Sequence, residues 1–382
     1  LVRDELNRLL KPHGLHFAPD PATSSRANVG GMISNNAAGM RSICYGTTID
    51  HLLGVDLALS TGEVLNLGPL DEGGWAAKCR MRDREGEIYR GFQKLIEEHR
   101  EEILARYPKV RRRAGGYMLD AFAGPISDQM PWNLAKIVAA SEGTLGMVLE
   151  ARLKLEPLPA HRLLCVAHFE SIDKTLRAVG PIVAREPSAV ELIDGLIVGL
   201  ARQSPLTREK CYFLEGDPAA ILIIETQGED RAQAESRLRA IARELLDSGM
   251  AYAAPVFVEP QAIADVWLLR ENGLGLMATV KGDRKPTPFI EDAAVPLERL
   301  PEYIGQVREV CERHGRRVGL FAHASVGLVH VRPLLDIHLP EEIGLLRTIQ
   351  DEVFELVLRH RGSWSGEHGD GLVRGAYNER FF

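Results

Sequence analysis

Residues 219–249 read AAILIIETQGEDRAQAESRLRAIARELLDSG: an apolar, β-branched run, a glycine, then a long segment whose apolar positions recur at helical spacing. A strand followed so closely by an amphipathic helix must lay the helix across a sheet. The same order stands upstream, where LLCVAHFES (163–171) reads as a strand and DKTLRAVGPIVAR (173–185) as a helix. Alternating strands and helices predict an α/β or α+β domain with helices covering a sheet. With 382 residues, 45% hydrophobic and 26% charged, the chain is long enough for two domains. Pro157 and Pro159 mark the expected boundary, giving units at 1–157 and 158–382.

The first unit begins with a short helix on Leu6, Leu9 and Leu10 that ends at KPHG. Residues 28–46 carry four glycines and two adjacent asparagines and are expected to form a loop. LLGVDLALSTGEVLNLG (52–68) then predicts a hairpin around STG, and 85–106 a surface helix. WNLAKIVAASEGTLGMVLEARLKLEPLP (132–159) predicts a helix, a glycine turn and a strand. No internal repeat or low-complexity tract stands out.

A formal net charge of −7 argues against a nucleic-acid partner or an anionic membrane, while leaving room for a local basic pocket. The five cysteines are odd in number and widely spaced, so neither a disulfide framework nor a thiolate metal site is indicated. A reducing cytoplasm is the expected location, with the periphery of the inner membrane as a variant of it. No stretch approaches the roughly 20 apolar residues of a membrane span, and the opening LVRDELNRLLKPHG does not read as a signal peptide. Without an initiator Met, the chain is expected to be a fragment.

The glycines of VGGMISNNAAGMRS (29–42) allow close backbone approach to a large planar or phosphorylated ligand, and they equally suit a structural turn. Neither a GxGxxG after a strand nor a GxxxxGKS occurs. Taken together, GGMISNNAAG, YGTTIDHLLGVDLALSTGEVL and SEGTLGMVLEARLKL resemble the flavin domain of FAD-linked oxidases of the vanillyl-alcohol oxidase type. The resemblance runs from about residue 17 to the end of the chain. It implies FAD contacts at Pro19, Asp20, Gly30, Gly31, Asn35, Ala37, Gly39, Ser42, Tyr45 and Gly46, and again at Glu142, Gly143, Thr144 and Val148. The family's pyrophosphate-holding first half has no counterpart here, so the expected fold is the second part of such a domain followed by an α+β substrate domain with an antiparallel sheet.

FAHASVGLVHVRP places His323 and His330 seven apart around Gly327, a pattern that favours strand, turn, strand and sets two imidazoles side by side. Read singly, each is compatible with a buried, hydrogen-bonded ring. Read as a pair, they are candidate metal ligands, and Glu367 of SGEHGD is the candidate third. The C-terminal half resembles the substrate domain of D-lactate and D-2-hydroxyglutarate dehydrogenases, where such a histidine pair and the acid of a Glu-His dipeptide bind a divalent metal. The resemblance therefore implies His323, His330 and Glu367 as ligands of Zn, Mn or Fe, and His368 as the base. Relatives often carry Asp-Gly-Asn between the histidines, where ASVGLV stands here, and Arg332 replaces a polar residue. HVRP is shared with long forms that continue into an iron–sulfur domain, implying a cluster outside this chain.

In VWLLRENGLGLMATVKGDRKPTPFIEDAAVP, Arg270 and Lys285 stand at the family's spacing for the two cations that hold substrate carboxylate, while Leu274 replaces a threonine used by some relatives. Without that resemblance both read as surface charge. The implied activity is oxidation of a small D-2-hydroxyacid: the metal polarises the hydroxyl, His368 takes its proton, and hydride passes to flavin N5. Two cations suit a dicarboxylate, which puts D-2-hydroxyglutarate ahead of D-lactate. The sequence does not give the electron acceptor; a quinone and an electron-transfer protein are both open. Two other readings compete: a metal-dependent hydrolase, and a non-catalytic module that keeps the fold.

Overall fold

The structure, a computed structural model, describes residues 1–127 and 129–382. Its N-terminal part is built on a three-stranded antiparallel sheet. After helix α1 (Arg3–Leu10) and a short helix α2 (Val29–Ser34), strands β1 (Leu52–Ala58) and β2 (Val64–Leu67) form the expected hairpin. The long helix α3 (Arg84–Arg106) buries Tyr89, Ile96 and Ile103 in a single stripe, and its charged residues face water. Strand β3 (Met147–Leu153) returns to pair with β1, and Leu15–His16 pairs with Glu156–Pro157.

Two local expectations are corrected. A glycine-rich loop was expected across 28–46; instead α2 forms because Met32 and Ile33 are buried, and Ser42–Tyr45 makes a further helical turn. Residues 134–137 form only a 3₁₀ turn where a helix was expected, since packing of Leu134, Ala135 and Val138 is met without a longer one.

The C-terminal part is a seven-stranded antiparallel sheet. Its elements, in chain order, are β4 (His161–Phe169), α4 (Ile172–Val183), β5 (Ala189–Asp194), α5 (Gly195–Gln203), β6 (Ala220–Gly228), α6 (Arg231–Asp247), β7 (Val256–Phe257), α7 (Pro260–Ala278), β8 (Lys285–Pro286), α8 (Leu300–Arg313), β9 (Val318–His323), β10 (Leu328–Leu335) and α9 (Pro340–Arg359). Across the sheet the order is β7-β4-β6-β5-β9-β10-β8. Helices α4, α6, α8 and α9 cover one face, and α5 with α7 covers the other. That arrangement explains the unbroken apolar runs: in β4, Leu163, Cys165 and Ala167 enter one core and Leu164 and Val166 the other. No helix among the described residues is long and apolar enough to cross a membrane.

Candidate active site

The site grows from the α5/α7 face of the sheet. Period-two alternation places Glu191 of β5, Phe321 and His323 of β9, and His330 and Arg332 of β10 on that one face. In register, Phe321 stands opposite His330 and His323 opposite Leu328, so the two imidazoles are diagonal neighbours, their centroids 5.5 Å apart. The expected strand, turn, strand holds. Its turn requires glycine at 327, which has φ +73°, and a Cβ there would lie 2.1 Å from the Val295 carbonyl oxygen.

The 365–370 stretch is folded over this face by the fully buried Asp292. Its carboxylate accepts hydrogen bonds from the Ser365 hydroxyl (2.6 Å), the Glu367 N–H (3.1 Å) and the His368 N–H (3.0 Å). Gly366 permits the approach, because a Cβ there would sit 2.0 Å from Leu328 Cδ1. Glu367 is thereby aimed between the histidines: its Oε2 lies 3.4 Å from His323 Nε2, and its Oε1 lies 3.1 Å from His330 Nε2 and 3.4 Å from His368 Nε2. Rings of His330 and His368 stack with centroids 5.4 Å apart.

The opposite edges of the rings meet a second layer of carboxylates. His323 Nδ1 lies 2.9 Å from Glu191, His330 Nδ1 2.6 Å from the Glu291 carbonyl oxygen and 3.0 Å from its Oε2, and His368 Nδ1 2.8 Å from Glu291 Oε1. All three Nε2 atoms are therefore turned toward Glu367. Burial opposes the charge on Glu367, but His323 and Arg112, with hydrogen bonds from the histidines, hold it well below the usual carboxylate range. Burial opposes the charged imidazoles as well, yet bonds to Glu291 and Glu367 raise His330 to about 9 and His368 to about 11. The cluster as it stands is a tight assembly of paired charges.

Glu367 also ties the two parts of the molecule together. Arg112, which is 0% exposed, donates to Glu367 Oε2 (2.8 Å), to the Gly39 carbonyl and to the Ser42 hydroxyl (2.6 Å). The Asn35 amide donates to the Glu367 carbonyl at 2.7 Å. Between them opens a cavity of about 320 Å³ whose wall includes Asn28, Gly31, Asn35 and Gly39 on one side and His323, Glu367 and His368 on the other.

A model of the FAD linked oxidases, C-terminal domain, matches residues 158–382, well over half of the chain, and one of the FAD binding domain matches residues 2–68. The chain belongs to the FAD-linked oxidases. The D-2-hydroxyglutarate dehydrogenase of Pseudomonas putida is 35% identical over 387 residues, covering 100% of this chain and 38% of the relative. That of Escherichia coli is 33% identical over 392 residues with the same shares, 100% and 38%. This chain thus spans 38% of the length of these curated relatives. Among solved structures, p-cresol methylhydroxylase with substrate bound superposes with a TM-score of 0.61 at 13% identity, covering 100% of this chain and 68% of that one, a likeness of fold.

Whether this oxidase-family chain suits FAD is decided at the cavity. A Cβ at Gly30 or Gly31 would meet nothing within 4 Å, so the start of α2 presents bare backbone, and Gly31, Met32, Ala37 and Ala38 give the cavity an apolar stretch of wall that suits a ring system. Of the residues that the resemblance assigns to FAD, Gly31, Asn35, Ala37 and Gly39 line it. Others are engaged within the protein. Asp20 pairs with Arg41 at 2.7 Å, Ser42 accepts from Arg112, Tyr45 bonds Gln227 at 2.7 Å, and Thr144 bonds Tyr117 at 2.8 Å. Glu142 accepts the N–H groups of Asp370 (2.5 Å) and Gly371 (3.1 Å). Gly46 turns at φ +72° against Asp50, Gly143 has φ +78°, and Val148 lies in β3; Pro19 offers its carbonyl to Arg3.

The donor set also suits a divalent cation. Two ligands about 2.1 Å from a tetrahedral ion stand about 3.4 Å apart; Glu367 lies 3.4 Å from His323 through Oε2 and 3.1 Å from His330 through Oε1. Among the described residues the donor atoms that all gather within 4.8 Å of one another are those of Asp292, His330, Glu367 and His368, a group that holds two of the expected ligands and leaves out His323. Asp292 already accepts three hydrogen bonds, from the Ser365 hydroxyl and the Glu367 and His368 N–H groups, which leaves it less free to serve as a ligand.

Of the two expected substrate cations, the structure brings only Arg270 to the site. Its guanidinium is held by Glu191 at 2.7 Å and lies against the Phe321 ring, 5.2 Å from its centroid, as Arg332 does at 5.5 Å. Lys285 pairs with Leu335, about 16 Å along β10 from His330, exposed and bonded to the Val280 carbonyl. Sequence reasoning passed over Glu191, Glu291 and Arg112. The two acids interrupt apolar stretches, AVELID and PFIED, which is a signal of buried charge; Arg112 sits in RRR and looks like surface.

Proposed function

We propose that the chain carries the substrate-binding and flavin-facing part of an FAD-dependent D-2-hydroxyacid dehydrogenase, with D-2-hydroxyglutarate as the favoured substrate over D-lactate. The single observation that supports this is the cavity in which Gly31, Asn35 and Gly39 face His323, Glu367 and His368. The names of the relatives at 33–35% identity agree with it. On this reading the chain divides at 157/158, and a quinone or an electron-transfer protein receives the electrons.

Bound FAD supplies the two-electron acceptor, and a divalent cation held by His323, His330 and Glu367 supplies Lewis acidity toward a substrate hydroxyl. The protein's own groups do the rest. Glu191 and Glu291 fix the ring tautomers so that each Nε2 is presented to Glu367. His368, the half-exposed member of the cluster, takes the hydroxyl proton at Nε2. In the ion-free cluster its pKa is raised, against burial, by bonds to Glu291 and Glu367 and by the charge of Asp292; a cation sharing Glu367 would oppose that rise. Arg270 and Arg332, both against Phe321, supply positive charge for a substrate carboxylate.

The test is an anaerobic screen of D- and L-2-hydroxyacids for bleaching of the FAD-loaded protein, with and without chelator. Bleaching by D-2-hydroxyglutarate that chelator suppresses is expected; a flavin that no 2-hydroxyacid reduces would sink the reading.

A further inference from the structure

A second cavity, of about 430 Å³, lies behind the Asp20–Arg41 pair and away from the histidine cluster, between α1 and the start of β4. Its wall includes Arg3, Lys11, His16, Asp20, Arg41 and Arg162. Most of these charges are accounted for. Arg41 is held by Asp20 (2.7 Å) and Glu225 (2.6 Å), and Arg3 by Asp4 (3.1 Å). Arg162 is different. Among the described residues its guanidinium makes no hydrogen bond or ion pair, and its Nε is out of solvent with no acceptor. Beside it His16, only 4% exposed, also has a buried Nε2 without a partner.

A half-buried guanidinium without a counter-charge is costly, and proteins almost always pair it. Burial and the Arg41 charge push the Arg162 pKa down against the more distant pull of Glu225 and Asp20, both of which are bonded to Arg41 instead; burial with Arg162 and Arg3, against Glu156, lowers His16 to about 4, which leaves a neutral ring able to donate one N–H. The cavity wall therefore carries more donors than its one carboxylate, Asp20, which is already bonded to Arg41, can satisfy, and Lys11 adds positive charge at its rim.

We propose that this cavity is a phosphate-binding site, taking a phosphate group, free or borne by a nucleotide, on Arg162 with His16 and Lys11 beside it. The guanidinium fork matches two oxygens of a phosphate, and the surplus of cations suits its double charge. The cavity is larger than phosphate alone requires, which leaves room for the body of a small molecule.

The experiment follows inorganic phosphate binding to the chain by calorimetry and thermal melting, against chloride at matched ionic strength. Phosphate is expected to bind and to raise the melting temperature, with binding weakened about tenfold or more in Arg162→Met and more modestly in the exposed Lys11→Gln. In phosphate-free buffer Arg162→Met is expected to melt no lower than the unaltered chain, since it removes an unpaired charge. Displacement of phosphate by FAD would identify the flavin's own phosphates as the source of the group, and its absence a separate small molecule. No phosphate-dependent shift, or equal shifts in the chain and both variants, would overturn the proposal, as would collapse of Arg162→Met in phosphate-free buffer.

Discussion

Glu291 bonds His368 Nδ1 through one carboxylate oxygen, at 2.8 Å, and His330 Nδ1 through the other, at 3.0 Å. One buried acid thus orients both the proposed base and a proposed metal ligand, while Arg332 and Arg374 approach it at 3.3 and 3.5 Å. Glu291→Gln is expected to keep the fold and to weaken metal binding by about 10–100-fold, measured by calorimetry. Unchanged affinity would remove Glu291 from this role.

His368→Ala is expected to retain FAD and metal while bleaching by D-2-hydroxyacid slows by about 10²–10⁴-fold. Stopped-flow absorbance of the FAD-loaded variant reads the rate, and normal bleaching would refute the base assignment.

The ion-free cluster binds protons tightly, since His330 and His368 are raised to about 9 and about 11 from an ordinary 6.5. A raised histidine contributes stability that is complete below about pH 6.5 and is lost as pH climbs through the folded-state value. Chelator-treated protein should therefore lose stability to urea from about pH 6.5 up through 9 and 11, and metal affinity should rise across the same window as protons cease to compete. A flat profile in both would contradict the assembly described.

Gly327→Ala puts a Cβ 2.1 Å from the Val295 carbonyl at a φ of +73°. The cost is expected to exceed about 2 kcal/mol, with metal binding lost as His323 and His330 move apart. Urea unfolding with a parallel metal titration checks both.

Arg332→Met is expected to raise KM for D-2-hydroxyglutarate about tenfold or more, as loss of one charge-assisted contact does, and to affect D-lactate less. Lys285→Met, by its position on β8, is expected to leave both nearly unchanged. Steady-state kinetics on the two acids separates these outcomes, and a larger effect at Lys285 would restore it as the second cation.

Local pattern was enough for much of this protein. Alternating apolar runs and helical periodicity in 163–185 and 219–249 dictated strands with covering helices, because burial on two faces leaves its imprint on consecutive residues. The His323–Gly327–His330 spacing dictated a hairpin, and the glycines around Glu367 and His368 announced a close approach. What only the tertiary structure decided was the partnership of distant charges. Glu191 meets His323 and Arg270 through the β5/β9 register, Glu291 reaches His330 and His368 from a loop before α8, and Arg112 is drawn inside to hold Glu367. Register and folding-over also left Lys285 at the far end of β10, despite its suggestive spacing from Arg270. Each of these follows from which strand lies beside which, a property of long-range packing that periodicity within a segment does not contain.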